Sequence, residues 1–336
     1  MLTYEREVGH CSPTKYAKAV TIKELLPAVN SDNLERVKFN ELGWETVVRR
    51  GMYHVGDRLM FIPPDSVLPL ELSDALDVTK YLSKGRVKVV KLRGNRSEGL
   101  IVDSDICEPY LPYILQWEDL PSSSMRGETM PASQVPVIDF PVFYKIPSLM
   151  NEPDTFRDGE EVYVSEKIHG TNTRFGLHRH PETGEPTLYV GSHNMVLKEG
   201  DSVYWQAVRA TLGDKAERLP LGVTFFGETY GRGVQDLDYG EALALRVFAS
   251  FDGESAYHSV ERTKALCEEA GLPCVVFDRR RMEGMETARG WADEPSGLTG
   301  KHVREGIVLR ETEGDFRAAK IVSEKYLTRK GGVERH

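Results

Sequence analysis

Glu166-Lys167-Ile168-His169-Gly170-Thr171-Asn172 is the stretch from which the rest of the chain reads. It follows Glu161-Val162-Tyr163-Val164-Ser165, whose period of two predicts a strand. Lys167 therefore closes an alternating run, with a glycine three residues on. A lysine attacks as a nucleophile only when its ammonium loses a proton, which needs a nearby cation or desolvation. A glycine at that spacing lets a ligand approach the backbone. Isolated, the tetrapeptide would read as an ordinary strand-end lysine before a turn.

It is not isolated. Phe225-Phe226-Gly227-Glu228 ends one apolar run and Phe251-Asp252 another. Further on come Glu305-Gly306-Ile307-Val308-Leu309-Arg310 and Phe316-Arg317-Ala318-Ala319-Lys320-Ile321-Val322. Strands are expected at Thr187–Val190, Val223–Phe226, Leu245–Ala249 and Gly306–Arg310. A helix is expected over Ser259–Ala270, with Gly271 closing it. This half of the chain reads as α+β, built on antiparallel sheets.

Upstream the texture is strand-rich, with runs at Trp44–Val48, Arg58–Ile62 and Arg86–Val90 separated by Gly, Pro and Asp. About five such strands predict a small β-barrel of the OB type. Between Lys84 and Arg96 stand six basic residues (Lys84, Arg86, Lys88, Lys91, Arg93, Arg96) and no acid. Alternation would put Arg86 and Lys88 on one face and Val87 and Val89 on the other. That arrangement suits either a phosphate backbone or a solvated strand face. The expected division is an OB-type module at 1–118, a Pro- and Ser-rich connector at 119–140 and a second domain at 141–336.

Composition narrows the rest. The 336 residues are 40% hydrophobic and 28% charged, enough apolar side chain for packed cores and unlike a disordered chain. A net charge of −9 argues against a protein that coats nucleic acid indiscriminately, though not against a local basic surface. No apolar run reaches membrane-spanning length. The start lacks a signal-peptide pattern, and four scattered cysteines form no CxxC pair. A reducing cytoplasm is the expected home.

The ordered series around Lys167, Glu228, Phe251, Glu305 and Lys320 resembles the motifs of the covalent nucleotidyltransferases, the polynucleotide ligases and mRNA capping enzymes. More narrowly it is similar to ATP-dependent RNA ligases, some of which carry a histidine two places after the nucleophile. The upstream module, in Gly56-Asp57 and Pro64-Asp65-Ser66-Val67-Leu68-Pro69 and in Lys91-Leu92-Arg93-Gly94, resembles the N-terminal OB module of the clade typified by Deinococcus radiodurans and Naegleria enzymes. The resemblance implies an ATP-grasp-like adenylyltransferase domain behind that module.

It also implies roles. Lys167 would take AMP from ATP, with Lys320 on the α-phosphate and Glu305 holding Mg²⁺ or Mn²⁺. Glu228 would meet the ribose and Phe251 would stack on adenine. Glu166, Ile168, His169, Gly170 and Asn172 would line the nucleotide, and Arg86, Lys88, Lys91 and Arg93 would contact RNA. The implied partners are ATP and RNA with 3′-hydroxyl and 5′-phosphate ends, bound by a monomer. The sequence departs from the pattern twice. Ala318 stands where related ligases have a second lysine, leaving Arg317 or Lys325 to supply the charge. The arginine expected within Gly191-Ser192-His193-Asn194-Met195 is absent, with His193 the nearest candidate. The rival readings are a DNA ligase or capping enzyme and a non-catalytic RNA-binding relative. DNA ligases and capping enzymes generally carry their OB domain after the last motif, and only 16 residues follow Lys320 here.

Overall fold

The apolar run Leu59-Met60-Phe61-Ile62 shows how the first half is built. Leu59 and Phe61 pack with Val20, Ile22, Val37 and Phe39, while Met60 and Ile62 pack with Leu68, Leu72, Val87 and Val102. A strand that buries both faces reads as continuous rather than alternating hydrophobicity. In the computed structural model, residues 16–117, 128–131, 134–135, 140–240, 242–253, 257–314 and 316–329 are described. The chain divides into two compact units, Met1–Pro121 with Met150–Pro153, and Ser122–Leu149 with Asp154–His336. Most of the expected connector 119–140 lies outside the described residues.

The first unit contains β1 (Lys18–Pro27), β2 (Leu34–Phe39), β3 (Glu45–Arg49), β4 (Arg58–Ile62), β5 (Ser66–Val67), β6 (Val90–Leu92), β7 (Asn95–Ser97), β8 (Leu100–Val102) and β9 (Leu115–Gln116), with short helices α1 (Leu70–Ala75) and α2 (Ser104–Cys107). Five strands form an antiparallel sheet in the order β3-β2-β1-β4-β8, which curls into a nearly closed, OB-like barrel. The expected strand at Arg86–Val90 is not formed: Arg86 makes only isolated bridges, to Val67 and Ser83, and β6 starts at Val90. The predicted alternation nonetheless survives, since Val87 and Val89 are buried and Lys88 is exposed. Those valines anchor an irregular segment to the core without a continuous ladder.

The second unit holds two antiparallel sheets. One has the order β16-β10-β17-β18, from β10 (Glu161–Lys167), β16 (Phe277–Arg281), β17 (Gly306–Glu311) and β18 (Ala318–Val322). The other has the order β13-β12-β11-β14-β15, from β11 (Thr171–Arg179), β12 (Pro186–Ser192), β13 (Val196–Leu197), β14 (Thr224–Tyr230) and β15 (Ala244–Phe251). Helices α3 (Val203–Leu212) and α4 (Val260–Ala270) cover the larger sheet, where Trp205, Val208, Leu266 and Ala270 pack on Phe175, Phe225 and Val247. As expected, α4 runs from a Ser259 cap, whose hydroxyl accepts from the Arg262 amide at 3.1 Å, to Gly271 in the left-handed region. Two short helices follow, α5 (Met285–Ala292) and α6 (Glu324–Leu327).

Candidate active site

Lys167 is the last residue of β10 and pairs with Gly306, the first of β17. This register puts Glu305, one residue before the ladder, beside the lysine. The Lys167 ammonium donates to Glu305 Oε1 at 2.5 Å. Gly306 is dictated by packing, because a Cβ there would sit 2.1 Å from the Ile321 carbonyl oxygen. Gly170 has the same kind of reason: a Cβ would lie 2.2 Å from the Thr229 carbonyl oxygen. Its role is thus close approach of two backbones, where the sequence suggested ligand access.

Burial raises the Glu305 carboxyl, but Lys167 and His169 more than reverse this and hold it at about 2. Glu305 is therefore anionic at neutral pH. Its other oxygen, Oε2, is buried without a hydrogen bond and lies 3.6 Å from His169 Nδ1. Glu228, in the strand pairing Asn172, behaves oppositely. Burial pushes its carboxyl up to about 8 against the pull of Lys167, with the nearby Glu305 charge adding to the rise. Two carboxyls in one site are thus held in different charge states. Glu166 accepts from the Gly297 amide through Oε2 at 2.7 Å, while its Oε1 and the Asn172 Oδ1 are buried without partners. Orphaned buried acceptors on Glu305, on Glu166 and on Asn172 are what a polar ligand or a cation would satisfy.

His169 is buried and braced from behind. Its Nε2 lies 2.8 Å from Asp236 Oδ1, and Asp236 in turn accepts from Arg329 Nη2 at 3.0 and 2.9 Å. The Tyr326 hydroxyl lies 3.2 Å from the ring nitrogens, and the Tyr239 hydroxyl accepts from the His169 amide at 2.8 Å. A polar chain thus runs Arg329–Asp236–His169–Glu305–Lys167. The sequence reading missed Asp236, Tyr239, Tyr326 and Arg329. The signal available was a buried histidine needing a partner, which does not say where in the chain the partner stands.

Lys320 lies opposite Val308, and Val308 opposite Ser165, so Lys320 shares a sheet face with Lys167. Two inter-strand spacings and two residues separate them, or roughly 12 Å between Cα atoms, within joint reach of one polyphosphate. Its peptide is pinned on the free side of β18, where the amide donates to the Pro147 carbonyl and the carbonyl accepts from Leu149, at 2.8 and 2.9 Å. Neither suggested substitute for the missing lysine faces this way. Arg317 is tied to Glu160, Glu311 and the Thr155 carbonyl, and Lys325 donates to the Asp293 carbonyl at 2.9 Å. The cation opposite Ala318 is Arg310, buried over the Phe316 ring at 3.6 Å and donating to the Phe248 and His258 carbonyls.

Phe251 is brought to a different place from the one expected. It packs on Tyr257 at 5.3 Å, in the aromatic cluster around Phe143 and Phe316. Phe248, of the same strand, also packs on Phe143, at 5.0 Å, but reaches the cluster of Ile168, Tyr230 and Tyr239 as well. It is the extra residue of a β-bulge, between Val247 opposite Gly227 and Ala249 opposite Phe226. Bulges re-aim side chains in this way beside functional sites. His193 lies in the turn between β12 and β13 and is half-buried.

In the first unit, Arg86 is held by Asp65 at 2.7 and 2.9 Å and stacks over Trp117 at 4.8 Å. Arg96 lies between Glu45 and Glu98. Lys88, Lys91 and Arg93 are exposed. The ridge expected to carry Arg86 and Lys88 together is thus divided between an internal ion pair and an exposed group.

Residues 160–326 match the family model described as RNA ligase. The chain belongs to the RNA ligase family. Residues 17–104 match an OB-fold domain model. Among solved structures, it is similar to Naegleria gruberi RNA ligase with PPi, at 21% identity and a TM-score of 0.75, covering 93% of this chain and 98% of that one. It is equally similar to two mutants of that ligase, one with ATP and Mn (TM-score 0.75) and one with AMP and Mn (TM-score 0.76), each at 21% identity and the same coverage. At that identity these likenesses establish the fold of the ligase. No curated protein sequence matches. Among the described residues, no helix is long and apolar enough to cross a membrane.

Proposed function

We propose that the chain is an ATP-dependent RNA ligase that seals 3′-hydroxyl/5′-phosphate breaks, nicks in duplex above all. The observation that carries this is the Lys167–Glu305 contact at the paired ends of β10 and β17, where the second Glu305 oxygen is buried without a hydrogen bond. Lys167 Nζ attacks the ATP α-phosphorus and pyrophosphate leaves, giving a lysyl-adenylate. The RNA 5′-phosphate then takes the AMP from Lys167, and the 3′-hydroxyl displaces it as the strand closes. Little covalent assistance is needed beyond the lysine, because spread negative charge is stabilised by positioned cations. Lys320, on the face shared with Lys167, is the α-phosphate contact.

The residues fit a divalent metal. Glu305 is ionised and buried, with an oxygen to spare, and among the described residues no group of three or more His, Cys, Asp or Glu forms a dedicated cage. Mg²⁺ and Mn²⁺ are commonly held this way, by one carboxylate, waters and substrate phosphates. Bound there, the metal would neutralise phosphate charge and lower the lysine pKa. The neutral Glu228 can both donate to and accept from ribose hydroxyls, with Glu166 and Asn172 on the nucleoside. Phe248, which reaches the cluster of Ile168, Tyr230 and Tyr239, is the residue that flanks adenine in this reading, in place of Phe251. Similarity to solved ligases with ATP or AMP and Mn supports the choice of nucleotide and metal. The free cysteines Cys107, Cys267 and Cys274 suit a reducing, cytoplasmic setting.

The test is joining of a nicked RNA duplex with a labelled 5′-phosphate. Wild type should give sealed strand with ATP, and Lys167→Ala should seal only a nick already adenylylated. Failure to join with ATP, together with transfer of GMP from GTP to RNA ends, would support capping chemistry instead.

A further inference from the structure

Arg310 is a charged residue buried without a charged partner. It stands in β17 opposite Ala318 and is 4% exposed. Its two hydrogen bonds go to backbone carbonyls, of Phe248 at 3.2 Å and of His258 at 2.9 Å, and none goes to a carboxylate. Its Nε is buried without a partner. Burial holds the guanidinium down at about 10, which leaves it cationic at neutral pH. The Phe316 and Phe277 rings lie 3.6 and 5.9 Å from it. Taking an unpaired cation out of water is costly, and an apolar side chain among those rings would avoid the cost. What an apolar side chain lacks is the fork of donors.

The fork closes on the place where β15 leaves its register. Phe248 is the extra residue of the bulge, and a bulge leaves that residue outside the ladder. Its carbonyl accepts from Arg310 Nη1. The second carbonyl, that of His258, is tied to the same strand beyond the bulge. The His258 amide donates to the Ser250 carbonyl at 3.0 Å, and its ring meets Ser250 Oγ at 2.9 Å and Asp252 Oδ2 at 3.0 Å. One guanidinium thus grips β15 at Phe248 directly and at Ser250 through His258, with the buried Ala249 between them. The Phe248 ring itself is only half-buried, so packing alone does not fix its aim.

We propose that Arg310 is a positioning residue for ATP binding: its grip on β15 fixes the bulge, and with it the Phe248 ring that flanks adenine. The proposal rests on the assignment of Phe248 to adenine and deepens it, since it traces the aim of the ring to a buried arginine on another sheet. It also gives the cation opposite Ala318 a role other than direct phosphate contact. Both of its hydrogen bonds are spent on carbonyls, and its burial keeps a phosphate away.

The test is Arg310→Lys in the full chain, which keeps the charge and loses the fork. The KM for ATP in adenylation should rise about tenfold, the scale of one base–aromatic stack, while kcat stays within about twofold of wild type. Inhibition by inorganic tripolyphosphate, which has no base to stack, should be unchanged. The double variant with Phe248→Ala should show the KM of Phe248→Ala alone, because both changes remove the same interaction. Thermal melting checks the fold. Should Arg310→Lys not fold, Arg310→Gln, which also breaks the fork, takes its place with the same readouts. Calorimetric ATP binding by these variants on a Lys167→Ala background reads affinity without chemistry. It therefore reports on Arg310 even where wild type forms no adenylate, a result that would refute the ligase reading. A wild-type KM and affinity in the folded variant would overturn the proposal. So would a double variant about tenfold worse than Phe248→Ala, which would make the two residues independent. A fall in kcat with weaker tripolyphosphate inhibition would overturn it too, and would make Arg310 the phosphate contact that Ala318 lacks.

Discussion

Replacing Asp236 by alanine perturbs the active site without touching the nucleophile or any motif residue. Asp236 accepts two contacts from Arg329 and one from His169, and its side chain is 16% exposed. A fully exposed ion pair contributes about 0–1 kcal/mol, and breaking a buried one costs about 3–5 kcal/mol. At this partial exposure the expected loss of stability is about 2 kcal/mol. The kinetic effect comes through His169, which loses the acceptor that fixes its ring and hence the placement of Glu305 Oε2. Groups that orient a metal ligand are worth about 10–100-fold in activity, so lysyl-adenylate formation should slow by that factor. Asp236→Asn retains one acceptor and should fall between the two. The assay is single-turnover appearance of adenylylated protein, beside thermal melting of the same samples. A rate within twofold of wild type, with the His169 ring then held only by Tyr326 and the longer contact to Glu305, would refute the reasoning.

Three further outcomes follow from the same geometry. Lys320→Ala should slow adenylate formation at least about 100-fold, while Arg317→Ala, which loses Glu160, Glu311, a carbonyl and the face of Phe156, should leave that rate near wild type. Phe248→Ala should raise the KM for ATP about tenfold and Phe251→Ala should change it little, as steady-state adenylation would show. Because the folded carboxyl of Glu228 titrates near 8 and an ordinary one near 4.5, its ionisation opposes folding increasingly as pH rises from 4.5 to 8. Glu228→Gln should therefore melt higher than wild type at pH 8, and the difference should vanish toward pH 4.5.

Much of this was legible because the site is built at strand ends, and strand alternation is a local signal. The run Glu161–Ser165 predicts β10, and the ladder then brings Lys167 and Glu305 together although 138 residues separate them. The helix at Ser259–Ala270 was legible for the same reason, since its caps are written beside it. What was not legible is whatever depends on a partner far along the chain. Asp236 stands 67 residues from His169, and Tyr326 157 residues. Nothing local marks Arg86 as paired with Asp65 while Lys88 is left in solvent. The resemblance implied Phe251 for adenine, whereas the bulge that re-aims Phe248 arises from a register shift between β14 and β15 that nothing local announces. The central barrel strand β1 escaped because Lys18–Pro27 mixes charged and apolar residues, only Val20 and Ile22 being fully buried.

The central claim is that Lys167 is the nucleophile of an ATP-driven nucleotidyl transfer. Intact-protein mass spectrometry with ATP and a divalent metal, beside Lys167→Ala, measures this directly. The account predicts a gain of one AMP by the wild type and none by the variant. Absence of the gain in wild type, or its persistence in Lys167→Ala, would contradict it.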